Sequence, residues 1–104
     1  MSRIMLIVAV VLAVGAPATR GKTIQIVIDQ AAFAPLDVKA SVGDTIEWIN
    51  KDPIDHTATD KAGAWDVVIP AGKRARVLLR DAGTFEYYCR FHPNMTARVV
   101  VTGR

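Results

Sequence analysis

Apolar residues recur at every second position in short segments of this chain, and that period restricts its fold more than any other feature. In 23–29 (TIQIVID), Ile24, Ile26 and Ile28 fall on one face. Residues 36–40 (LDVKA) alternate as well, and 45–50 (TIEWIN) place Ile46 and Trp48 together. The segments 75–80, 84–88 and 96–102 complete the set. Ser41-Val42-Gly43-Asp44, Pro70-Ala71-Gly72 and Asp81-Ala82-Gly83 read as turns between them. No stretch carries a helical period. Short strands with turns about every ten residues predict an all-β sandwich or barrel of about seven to eight strands. Trp48 and Phe85 are expected in its core. The least regular stretch is 51–63, where Asp52-Pro53 and His56 precede a polar run. It is expected to be a loop, and loops on such scaffolds carry sites.

The 104 residues are the length of one domain. Its first part reads differently. Ser2-Arg3 precedes an uncharged apolar run over 4–14, and Ala16-Pro17-Ala18 follows as a small-x-small cleavage site. This order predicts a secretory signal peptide over 1–18, leaving 19–104 as a single domain exported to the periplasm. The run falls short of the ~20 residues a spanning helix needs, so no stable membrane insertion is expected. The formal net charge is +3. Apart from Lys73-Arg74-x-Arg76 the basic residues are scattered, and no dense cluster points to nucleic acid.

One cysteine, Cys89, remains in a chain expected to meet an oxidising compartment. It cannot pair within its own chain, so it needs another reason: an intermolecular bridge, a reactive thiol or a metal. Its neighbours supply that reason. Residues 89–95 (CRFHPNM) hold a thiol, an imidazole and a thioether, each three residues from the next. Beyond the expected signal, Met95 is the sole methionine, and the one other histidine is His56. Taken singly, each residue has a plainer role: a solvated histidine, a gap-filling methionine, a small buried thiol. Taken together they form a ligand set. Thiolate and imidazole suit copper and zinc, and the added weak thioether is the donor set of a blue-copper site. Cys89 would end the strand 84–88. Arg90-Phe91 and Pro93-Asn94 would form a tight loop folding His92 and Met95 back toward the thiolate.

On these residues the chain resembles the cupredoxins, the small blue-copper proteins of the plastocyanin/azurin type. The motifs are Phe33-x-Pro35, Val42-Gly43-Asp44-Thr45-Ile46-x-Trp48-x-Asn50-x-Asp52, His56-Thr57, Ile69-Pro70-Ala71-Gly72, Ala82-Gly83-Thr84-Phe85-x-Tyr87-x-Cys89 and His92-Pro93-x-Met95. They cover nearly all of 24–102, and the short C-x-x-H-x-x-M loop is of the amicyanin type. The resemblance implies a Greek-key sandwich with one type 1 copper ion held by His56, Cys89, His92 and Met95. It implies that Asn50 bonds across to the ligand loop. It also implies that the residue after the first histidine braces the thiolate. That residue is commonly asparagine; here it is Thr57, whose backbone N–H could serve. The implied function is electron transfer by a Cu(I)/Cu(II) couple with no substrate turned over. His92 would be the partly exposed port, ringed by Phe91, Pro93 and Asn94. The implied partners are redox proteins met transiently, a dehydrogenase or a cytochrome, and the implied state is a monomer.

Other functions draw on the same residues. A periplasmic copper carrier would use the same fold and site, although transport favours methionine-rich binding and Met95 stands alone. A multicopper enzyme needs further histidine-rich centres, which two histidines cannot build. A zinc-stabilised structural domain would accept Cys and His, whereas the thioether argues for copper. A single cysteine excludes a c-type haem attachment motif, and no hydrolase pattern accompanies the Cys/His pair.

Overall fold

The computed structural model describes residues 21–103. The expected signal peptide at 1–18 lies outside them. Nine strands follow in order: β1 (Thr23–Asp29), β2 (Ala32–Ala34), β3 (Asp37–Ser41), β4 (Thr45–Asn50), β5 (His56–Asp60), β6 (Asp66–Ile69), β7 (Arg74–Leu78), β8 (Gly83–Cys89) and β9 (His92–Thr102). They form a four-stranded sheet, β2-β1-β4-β7, and a five-stranded sheet, β3-β9-β8-β5-β6. Both sheets are mixed: β1 runs parallel to β4 and β3 parallel to β9, with the remaining pairs antiparallel.

Alternation explains why these segments pair as they do. The register of β1 and β4 sets Ile24 beside Ile46, Ile26 beside Trp48 and Ile28 beside Asn50. A slip of one residue would turn that whole apolar set to solvent. The inward residues of both sheets meet in one core that contains Ile26, Ile46, Trp48, Tyr87, Cys89 and Val99, all fully buried. Across the core Trp48 Nε1 donates to the Tyr87 hydroxyl at 3.2 Å. Tyr87 also meets the Phe33 ring edge-on at 4.8 Å, and Trp65 packs against Trp48 at 5.4 Å. Such aromatic pairs add about 0.5–1.5 kcal/mol each beyond their burial. The turn into β4 depends on Gly43 at φ 98°, a backbone conformation open to glycine at little cost. Asp44 closes that turn by accepting the backbone N–H of Ser41 at 2.9 Å and of Lys22 at 3.0 Å.

Two expectations need correction. Residues 56–60 belong to a strand in which every residue is buried, not to a loop; 51–55 alone lead irregularly into it. The polarity of His-Thr-Ala-Thr-Asp hid this strand. Its side chains are satisfied locally: the Thr57 and Thr59 hydroxyls lie 3.0 Å apart, the Thr59 hydroxyl donates to Asp66 at 2.7 Å, and Asp60 accepts the Ala64 N–H at 2.8 Å. A polar strand is stable inside a sheet once its groups are paired. The second correction is in 90–95. Arg90-Phe91 forms the turn by itself, and β9 begins at His92, which pairs with Cys89. The ladder then jumps to Tyr88 opposite Thr96. Pro93-Asn94-Met95 is therefore a bulge in β9 and not a loop before it. Proline offers no N–H to a ladder, so a bulge is where a strand tolerates it.

Candidate metal centre

Cys89 ends β8 on the same inward face as Tyr87, and the two-residue turn brings His92 directly opposite it. His56 begins β5, one strand away in the same sheet. Three strands thus deliver one donor each to the same end of the sheet. His56 Nδ1 lies 3.6 Å from Cys89 Sγ, and His92 Nδ1 lies 3.7 Å from it. The three donor atoms all fall within 4.8 Å of one another. The two imidazole rings stand 5.1 Å apart at 55°. His56 and Cys89 are fully buried, and His92 is half-buried. Met95, 5% exposed, emerges from the bulge and lines a shallow cavity with Ala31, Phe91, His92, Pro93 and Asn94.

The residues around the thiol orient it. The Thr57 N–H donates to Cys89 Sγ at 3.3 Å, which fulfils the expectation for its backbone. The Thr57 side chain acts separately, its Oγ1 accepting the Arg90 N–H at 2.8 Å and so tying the turn to β5. The Arg90 guanidinium bonds Asp66 at 3.2 Å and lies over the Phe91 ring. Asn50 departs from the expected bond to the ligand loop. Its amide donates to the carbonyls of Ile54 and Ile69, both at 2.9 Å, and its oxygen accepts the Asp52 N–H at 2.9 Å. It braces the approach to His56 and not 89–95.

Asp52 has no assigned role in the sequence beyond its place in a motif. In the structure its carboxylate lies 2.7 Å from His56 Nε2. It also accepts the backbone N–H groups of Gln30 at 2.7 Å and Ala31 at 2.9 Å. Burial raises the Asp52 carboxyl, but the bonds from Ala31, His56 and Gln30 outweigh it and hold it below the ordinary aspartate value. The sequence signal was weak: an aspartate four residues before a histidine in an irregular stretch has no fixed geometry.

The spacing fits a shared ion better than direct bonds. Sulfur–nitrogen separations of 3.6 and 3.7 Å are long for hydrogen bonds. A trigonal centre with metal–nitrogen bonds of about 2.0 Å and a metal–sulfur bond of about 2.3 Å spaces sulfur from nitrogen by about 3.7 Å. One thiolate, two imidazoles and a buried thioether nearby are the donors that soft copper takes.

Residues 2–101 match the family model described as a cupredoxin-like domain. Over 84 residues the chain is 31% identical to the amicyanin of Paracoccus denitrificans, covering 73% of this chain and 64% of that protein. It spans less than two thirds of the length of the curated relatives it matches. Among solved structures, a Cu(I) form of an amicyanin mutant superposes with a TM-score of 0.69 at 25% identity, covering 76% of this chain and 81% of that one. A purple cupredoxin from Nitrosopumilus maritimus gives a TM-score of 0.66 at 26% identity, covering 76% and 99%.

Proposed function

The chain belongs to the cupredoxin family, and on that premise we propose that it is a periplasmic carrier of single electrons and not an enzyme. His56, Cys89, His92 and Met95 would hold one type 1 copper ion, which supplies a Cu(I)/Cu(II) couple when bound. The observation that carries this reading is the convergence of two imidazole Nδ1 atoms and Cys89 Sγ, at sulfur–nitrogen distances of 3.6 and 3.7 Å.

The protein's part is to hold the donors still. A carrier works faster when its donor atoms move little between oxidation states. Here they sit on β5, β8 and β9 of one sheet, fixed by ladder pairing. Burial of His56 and Cys89 keeps water from the sulfur. The Thr57 N–H withdraws electron density from the thiolate, which favours the reduced state. His92 is the most accessible of the three clustered donors and is the port through which electrons would pass. Phe91, 50% exposed beside it, offers an apolar contact suited to a small transient interface with a dehydrogenase or cytochrome.

The test is a visible and EPR spectrum after Cu(II) is added. An intense blue thiolate-to-copper band with narrow copper hyperfine splitting is expected. A colourless protein, or an ordinary tetragonal copper spectrum, would mean that the donors do not assemble around copper, and the reading would fall.

A further inference from the structure

A neutral imidazole carries one proton, on one nitrogen or the other, and only the bare nitrogen can ligate. His56 must therefore choose its tautomer before it can serve the centre. The geometry points to Asp52 as the positioning residue that makes this choice, by taking the Nε2 proton of His56 in a hydrogen bond and leaving the Nδ1 lone pair turned toward Cys89 Sγ. The inference rests on the proposed copper reading for its functional meaning.

Four observations carry it. The Asp52 carboxylate lies 2.7 Å from His56 Nε2, and Nδ1 of the same ring lies 3.6 Å from the sulfur. His56 is fully buried, so water does not compete for either nitrogen. The carboxylate is itself held from two sides. Gln30 and Ala31, with φ of 52° and 55°, turn consecutive N–H groups onto its oxygens at 2.7 and 2.9 Å. On the other side its backbone N–H is fixed to Asn50 at 2.9 Å, and Asn50 is anchored to Ile54 and Ile69. A carboxylate so placed has little freedom to rotate away, and it cannot donate to Nε2 while ionised. The other tautomer of His56 would leave a buried carboxylate oxygen facing a bare nitrogen, a repulsive contact. The strained turn between β1 and β2 thus has a purpose at a distance: it aims Asp52, and Asp52 aims His56.

A role limited to holding the turn is the competing account, and Asp52→Asn separates the two. The Ala31 N–H and His56 Nε2 share one carboxylate oxygen and the Gln30 N–H takes the other, so the asparagine oxygen keeps one of the two turn bonds. Its amide either turns NH2 to Nε2, which demands the opposite proton placement, or accepts from Nε2 without the carboxylate's charge. The hold on the Nε2 proton weakens in both cases. In the full chain, 15N NMR of the metal-free and Cu(I)-loaded forms reads the His56 tautomer. The wild type is expected to show the Nε2–H form in both. Asp52→Asn is expected to shift the metal-free ring toward Nδ1–H and to lose about 10–100-fold in Cu(I) affinity, measured by competition with a Cu(I) chelator. An unchanged tautomer with Cu(I) affinity within about twofold of wild type would overturn the inference, even if melting temperature fell. Should the variant fail to fold, the wild type alone decides: an Nδ1–H ring on His56 overturns it, and an Nε2–H signal protected from exchange supports it. A wild type without the blue Cu(II) band would defeat the copper reading, and the metal-free tautomer would still judge Asp52.

Discussion

Thr57 serves the centre twice, through its N–H to the sulfur and its hydroxyl to Arg90. Thr57→Val keeps the shape and the backbone donor but strands the Arg90 N–H. We expect a loss of about 1–3 kcal/mol in urea unfolding, with the thiolate-to-copper band retained. Tyr87→Phe isolates a different dependence. It removes the acceptor for the fully buried Trp48 indole, and a similar loss of about 1–3 kcal/mol is expected, lowering the melting temperature by several degrees. Phe91 is exposed and separable from the donors. Phe91→Asp is expected to slow electron exchange with a redox partner, followed by stopped-flow, and to leave the copper spectrum intact. A lost blue band would make Phe91 structural instead. At this scale the sequence was informative where chemistry is rare: one cysteine, two histidines and one methionine beyond the expected signal left few ways to build a centre. It was silent about Asp52 and the Thr57 hydroxyl, because aspartate and threonine are common and the backbone N–H groups they accept from lie 21 to 33 positions away.

Strands with an apolar stripe were legible, and the strand without one was not. β1 and β4 show their inward faces directly as isoleucine and tryptophan at alternate positions. β5 buries polar residues on both faces, so no period announced it. Its stability comes from side-chain pairing with Asp66, a partner no local pattern reveals. The outer face of the four-stranded sheet carries a second polar construction. Glu47 on β4 stands between Gln25 on β1 and Arg76 on β7, accepting from them at 2.9 Å each, with Arg74 at 3.4 Å. The Gln25 bond first, then Arg76 against the opposing effect of burial, hold its carboxyl below the ordinary value of 4.5. A carboxyl depressed in the fold contributes stability above its unfolded value and loses that contribution as pH falls through the folded one. Stability should therefore decline on acidification below about pH 4.5, and Glu47→Gln should flatten this limb. Urea midpoints measured from about pH 6 to pH 3 check the slope; parallel slopes for the two proteins would remove Glu47 as a cause.

Over the whole molecule, a bound ion would join β5, β8 and β9 at one end of the five-stranded sheet. A ligand that binds the fold and not the unfolded chain stabilises it by about 2.7 kcal/mol at a hundred times its Kd. Stripping copper with a chelator is thus expected to lower the melting temperature by several degrees or more, with little change in far-UV circular dichroism. Fold class was readable from the period of the segments, but the order of strands in each sheet was not. That order depends on the parallel pairings of β1 with β4 and β3 with β9, where Val38 meets Val99. Nothing local marks such partners. The same pairing governs when the molecule can form. β3 sits at a sheet edge with β9 as its one partner, so this early strand waits for nearly the last described residues of the chain. Closing so long a loop has to precede the contacts that reward it, which places folding in the millisecond-to-second range of β-sandwiches. A chain cut short before Arg98 would leave β3 unpaired and an open edge on β8, and is expected to aggregate rather than settle into a smaller domain. For this sandwich, folding cannot finish until the strand farthest along the described residues has been made.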